Sequence, residues 1–147
     1  MSASEPQPTT LLNPSTRVER VFPTLTSAQI ARIASRGQRR QVARDEILVE
    51  VGDKDVPFFV VVSGEVQAVR PSSDAETLIV AHGPGQFSGE AVMITGRRAI
   101  GRLRVSAPGE VIELPREQLL ALIQTDAELS EILMRAFMLR RLELIAR

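Results

Sequence analysis

Apolar residues change their spacing twice along the chain, and the two changes divide it into three parts. In the stretch LTSAQIARIAS, Leu25, Ile30 and Ile33 recur at helical intervals after Pro23. Thr26 or Ser27 stands where a side-chain oxygen can accept from the free N–H groups of a first turn, so the stretch predicts a capped helix ended by Gly37. From Gln38 the period shortens. Runs rich in β-branched residues at 47–51, 58–62, 66–69, 77–81, 103–105 and 111–114 alternate with turn formers at Gly52-Asp53, Ser63-Gly64, Pro71-Ser72-Ser73-Asp74, Gly83-Pro84-Gly85 and Pro108-Gly109. Short strands at such regular spacing predict an antiparallel sandwich or roll. After Leu114 the helical period returns. PREQLLALIQ opens with a proline suited to a first helical turn, and Thr125 or Asp126 can cap a longer helix through DAELSEILMRAFMLRRLELIAR.

This order predicts an α+β fold: an antiparallel, jelly-roll-like β-roll with a short N-terminal helix and two C-terminal helices, the last one long. Residues 1–16, with Ser, Pro, Thr and Asn and few apolar anchors, read as a flexible tail, and order begins with a short helical piece near residues 18–22. Residues 17–125 are expected to form the β-roll domain with its flanking helices, and residues 126–147 the long helix. In that helix Leu129, Ile132, Leu133, Phe137, Leu139, Leu142 and Ile145 cover more than one narrow stripe. A helix lying on its own domain with its other side in water needs a single apolar face. The breadth points to dimerisation or docking onto a further domain, against the plainer alternative of a terminal helix with a generous core face.

Composition narrows the chemistry. The 147 residues carry Lys+Arg 18 and Asp+Glu 18, which argues against broad electrostatic binding to nucleic acid or anionic membrane. Cysteine is absent, which excludes disulfides, thiolate catalysis and cysteine-ligated metal. The single histidine, His82, has no partner for a histidine-rich metal site and reads as a surface residue at a strand end. Asp53 and Asp55 around Lys54 offer too few oxygens for a divalent ion. No apolar run reaches membrane-spanning length and no signal sequence opens the chain, so the sequence reads as cytoplasmic. Trp and Tyr are missing, which removes the usual stacking platforms for single strands. Arg39-Arg40 is a small basic pair at the start of the roll, Arg140-Arg141 offset the carbonyl end of the last helix, and Phe58, Phe59 and Phe87 fill the roll. Phe137 either seals a pocket from the helix side or joins a helix–helix seam.

One stretch carries most of the candidate chemistry. GQFSGEAVMITGRR, residues 85–98, sets three glycines beside one carboxylate and two arginines. Together with VARDEILVEVGD, FFVVVSGEVQAVR and PREQLLALI, in this order, it resembles the cyclic-nucleotide-binding domain over about residues 22–146. On that resemblance, Gly52-Asp53 form a tight turn, Gly64 turns a central hairpin, and GPGQFSGEAVMITG is the phosphate-binding cassette. Gly89 would let the backbone approach the ligand, and the N–H groups of Glu90, Ala91 and Val92 would open a short helix whose positive end favours an anion. The Glu90 carboxylate would accept from a ribose 2′-hydroxyl.

The sequence departs from the family in one place. The family's phosphate-pairing arginine lies nine or ten residues after that glutamate, where this chain has Ala99 and Ile100. A forked guanidinium depends on position, so its replacement weakens cyclic-phosphate binding. Arg98 could reach the same place by a one-residue slip near Gly96, Arg102 could point inward from the following strand, or the pocket could have lost cyclic AMP altogether. The candidate ligand-binding set is Phe87, Ser88, Gly89, Glu90, Ala91, Val92, Arg98, Ala99 and Arg102, with no catalytic residue, no metal ligand and no cofactor beyond a cyclic nucleotide of the cAMP or cGMP kind. Three readings follow: a regulatory sensor that relays ligand through its C-terminal helices; a degenerate domain for dimerisation or docking; and an enzyme, for which no nucleophile–base pair is visible. The cassette and tail are most similar to the N-terminal sensor of bacterial thioredoxin-reductase-type flavoproteins. On that likeness the partner is a homodimer mate or a C-terminal catalytic half that binds FAD and NADPH, with no nucleic-acid binding by this chain alone.

Overall fold

The computed structural model describes residues 21–89 and 98–146, the last six by their backbone alone. Helix α1 (Ser27–Ala34) opens on a reciprocal cap: Thr26 Oγ1 accepts from the Gln29 N–H at 3.2 Å, and Gln29 Oε1 accepts from the Thr26 N–H at 2.8 Å. Eight strands follow: β1 (Gln38–Val42), β2 (Ile47–Val49), β3 (Phe58–Val61), β4 (Glu65–Pro71), β5 (Glu76–His82), β6 (Phe87–Ser88), β7 (Arg102–Ala107) and β8 (Gly109–Leu114). Helices α2 (Arg116–Thr125) and α3 (Ala127–Ala146) close the described chain. The expected α+β roll is found, as two four-stranded antiparallel sheets ordered β1-β8-β3-β6 and β2-β7-β4-β5.

The two sheets and the helices form three layers, and β3 is the wall between two cores. Side chains alternate across a strand. Phe58 and Val60 therefore face the helices, with Leu25, Ile33, Leu119, Leu122, Leu129 and Leu133. Phe59 and Val61 face the second sheet, with Val66, Leu103 and Val105. All four are buried, so FFVV reads as a continuous apolar run rather than an alternating one.

Several expectations change in detail. Residues 58–70 do not form a hairpin: β3 pairs with β6 and β8, and β4 with β5 and β7, so the chain changes sheet at Ser63-Gly64. It crosses between the sheets again at Pro108-Gly109, from β7 to β8, and these two corners stack. A Cβ on Gly64, whose φ is +84°, would lie 2.6 Å from the Pro108 carbonyl oxygen, which leaves room only for glycine. The hairpin proper is β4–β5. Pro115 precedes α2 rather than sitting in its first turn, and Asp126, not Thr125, caps α3 by accepting from the Leu129 N–H at 3.0 Å. The tail expected at 1–16 and the helical piece at residues 18–20 lie outside the described residues.

On α3, Leu129, Leu133 and Ala136 are buried against the roll, and Ile132 packs beside them. Phe137 and Leu139 are half-buried, and Met138 is 59% exposed. Arg32 of α1 clasps the start of this helix, with Nε 2.8 Å from Asp126 Oδ2 and Nη2 2.6 Å from Glu128 Oε1. Its hydrogen bonds hold the Asp126 and Glu128 carboxyls below the usual range.

Candidate functional site

The cassette region is built on one short strip of chain, the connection from β2 to β3. On the entry side, β6 brings Phe87 into the helix-side core and Ser88 opposite Phe59. Gly89 then adopts a φ of +101°, and a Cβ there would lie 2.6 Å from the Pro57 carbonyl oxygen and 3.3 Å from Phe58 Cα. Both the dihedral and the close backbone approach require glycine. On the exit side, the Gly52 N–H donates to the Ala99 carbonyl at 2.7 Å and the Ala99 N–H to the Asp53 carbonyl at 3.0 Å. Both ends of the cassette are therefore tied to residues 52–58. Glu90, Ala91, Val92 and Arg97, between those ends, lie outside the described residues.

The candidate cations are each engaged. Arg98 is exposed and its Nη1 donates to the Gly52 carbonyl at 3.0 Å. Ala99 is only 5% exposed and packs in the core between the sheets. Arg102 does not point inward. On β7, Leu103 and Val105 take the inner positions, which puts Arg102 and Arg104 on the outer face of the second sheet. There Arg102 Nε lies 3.0 Å from Glu50 Oε2 and its Nη1 2.7 Å from Glu76 Oε2, while Arg104 Nη2 lies 2.6 Å from Glu76 Oε1. Hydrogen bonds from Arg102 hold Glu50, and those from Arg104 and Arg102 hold Glu76, below the usual carboxylate range. Sequence spacing could not separate these arginines, since only strand alternation assigns a face. Arg39 and Arg40 form no basic patch either: Arg39 pairs with Glu110, and Arg40 with Glu46 and Glu113.

A second cluster lies under the entry strand, and sequence reasoning missed it. Arg140 of α3 does not merely offset a helix end. Its Nε donates to the Val21 carbonyl at 2.8 Å and its Nη1 to the Phe87 carbonyl at 3.2 Å. The guanidinium lies 4.9 Å from the Phe22 ring centroid and 4.7 Å from that of Phe87. His82, expected at the surface, is 2% exposed, with its ring centroid 6.1 Å from that of Phe22 and Nδ1 without a hydrogen-bond partner. It ends β5 opposite Val66, with the Phe22 ring against it. Burial, and secondarily the Arg140 charge, push its pKa down to about 3. Among the described residues, no group of three or more His, Asp or Glu is placed to hold a metal ion.

A family model for the cyclic nucleotide-binding domain matches residues 39–126, more than half the chain. The chain belongs to the cyclic-nucleotide-binding-domain family. Solved structures of other proteins share its fold. The catabolite activator protein of Thermus thermophilus is 26% identical with a TM-score of 0.69, over 86% of this chain and 60% of that one. The chain thus spans less than two thirds of the Thermus protein. A structure reported with a cyclic-GMP-dependent signalling pathway that regulates bacterial phytopathogenesis is 23% identical with a TM-score of 0.69, over 82% and 96% of the two chains. The N-terminal domain of a transcriptional regulator from Streptomyces coelicolor is 23% identical with a TM-score of 0.62, over 88% and 91%. No curated protein matches the sequence significantly. Among the described residues of this cyclic-nucleotide-binding domain, no helix is long and apolar enough to cross a membrane.

Proposed function

We propose that this domain is a regulatory sensor that takes a cyclic nucleotide, or a related small anion, in the cassette of residues 89–98 and relays its presence through α3. The observation that carries the reading is the pair of anchors on residues 52–58. Gly89, in a conformation that only glycine takes easily, brings the backbone hard against Pro57, and the exit is fixed at Ala99. A phosphate bound by main-chain N–H groups needs this kind of close, fixed approach. Membership of the family supports the ligand class, and Glu90 would serve as acceptor for the ribose hydroxyl. Arg98 would supply the cation by exchanging the Gly52 carbonyl for phosphate oxygens, an exchange that replaces a hydrogen bond to a neutral acceptor with a charge-assisted pair.

A second reading has an observation of its own. Arg98 and Arg102 are both engaged elsewhere, and Ala99 holds the position where the family's arginine is expected. A domain that had lost its ligand would serve for dimerisation or for docking of a following domain through α3, and the similarity to flavoprotein sensors suggests a redox half as that domain. Calorimetric titration of the chain with cAMP, cGMP and cyclic di-GMP, repeated on Glu90→Ala and Arg98→Ala, separates the two. Heat that is lost in both variants supports the sensor; no heat with any of the three nucleotides leaves the docking module.

A further inference from the structure

One side chain of helix α3, Arg140, reaches across from the helix to the cassette's entry strand and to the segment before α1. We propose that Arg140 is a latch that fixes the position of α3 to strand β6, and that the cassette communicates with the C-terminal helix through it. Three features make it a device rather than a surface contact. Its acceptors are the main-chain carbonyls of Val21 and Phe87, so it reads backbone position in two segments distant in sequence. Its flat guanidinium lies against the rings of Phe22 and Phe87, a fit that a lysine cannot reproduce. And Phe87 stands two residues before Gly89, so a shift of the cassette entry moves one of the latch's acceptors directly.

The start of α3 is held separately, by Arg32 on Asp126 and Glu128. Opening the latch therefore frees the second half of the helix while its first turn stays in place. Closed, the latch holds Phe87 and preorganises the cassette entry, so its loss lowers affinity for any ligand that the cassette takes. By linkage, ligand then favours the closed helix.

The absence of cysteine allows clean labelling. Spin labels at Ser73→Cys, on the exposed β4–β5 turn, and at Met138→Cys report the distance from the roll to α3. In the otherwise unchanged chain a single narrow distance is expected. Arg140→Ala should broaden it or add a longer one and speed amide exchange in the second half of α3, with exchange in β3 and β8 unchanged. Arg140→Lys, the milder variant should alanine not fold, should fail to restore the narrow distance. Unchanged distances and exchange in both variants overturn the latch.

The link to ligand rests on the sensor reading and has its own arm. Calorimetry with cGMP and cAMP should find at least about fivefold weaker binding to Arg140→Ala. Equal affinity overturns the coupling. If neither nucleotide binds the parent chain, the sensor reading fails, and the ligand-free distances still decide the latch.

Discussion

Burial of the single histidine makes a definite claim about acid. His82 is 2% exposed, and its pKa is pushed from an ordinary 6.5 down to about 3. The folded chain keeps the ring neutral where the unfolded chain protonates it. Stability from this source is complete above pH 6.5 and is lost as the pH falls toward 3. Below the ordinary value the loss runs at about 1.4 kcal/mol per pH unit, which comes to about 2 kcal/mol between pH 7 and pH 5. Within that window His82 is largely separated from the ion-paired carboxylates, whose stabilisation is lost chiefly as the pH falls below their ordinary values of 4.5 for Glu46, Glu50, Glu76 and Glu128 and 3.8 for Asp126. The Phe22 ring lies against His82, Val66 stands opposite it across the strand pair, and the Arg140 charge adds to the effect of burial. Urea unfolding followed by far-UV circular dichroism is the fitting assay, because the chain has neither Trp nor Tyr for fluorescence. His82→Leu keeps the apolar contact and removes a nitrogen that has no hydrogen-bond partner, so it should fold at pH 7 with little loss. The wild-type chain should then weaken by about 2 kcal/mol relative to this variant on going to pH 5. A wild-type-minus-variant difference that stays constant from pH 7 to pH 5 would refute the reasoning.

Three further outcomes are expected. Gly89→Ala forces a Cβ onto the Pro57 carbonyl at a positive φ and should cost about 1–3 kcal/mol in thermal or urea unfolding; an unchanged midpoint would mean that the entry is not strained. Phe58→Ala, at a site with no exposed surface between the helices and the first sheet, should cost about 3–5 kcal/mol by the same assay. Arg102→Gln breaks contacts on the outer face and should leave nucleotide affinity within about twofold, whereas Arg98→Gln should lower it at least tenfold, about the worth of a charge-assisted hydrogen bond. The opposite order, measured by calorimetry, would reassign the phosphate-facing cation.

Much of the fold was legible because its longer elements each carry a local signal. The Thr26–Gln29 cap, the turn at Gly52-Asp53 and the helical return after Leu114 all emerge where their residues imply. β1 is different. Its sequence QRRQV has four exposed positions and one buried one, so it offers no apolar alternation, and five backbone pairings with β8 hold it instead. β6 is two residues long and gives no period at all. Pairing between strands is a long-range property, which is why a corner at Ser63-Gly64 reads like a hairpin turn until the two sheets are seen. The candidate site divides in the same way. Gly89 announced itself through the residues around it, while the engagement of Arg98, Arg102 and Arg140 depends on partners 46, 52 and 119 residues away along the chain.

The wall strand β3 has a consequence for how the roll finds its own alignment. In Phe58-Phe59-Val60-Val61 each face receives one phenyl ring and one valine. A slip of one residue would exchange the two faces and still present a phenyl ring and a valine to each, so the apolar pattern that ordinarily selects a register is nearly blind here. The choice must come from the strand's ends, where Gly64 fits under the Pro108 carbonyl and Gly89 fits against Pro57. Gly64 at the sheet corner and Gly89 at the cassette entry thus help to set the alignment of the strand that divides the two cores, and damage at Gly89 would be felt as misfolding before it was felt as lost binding.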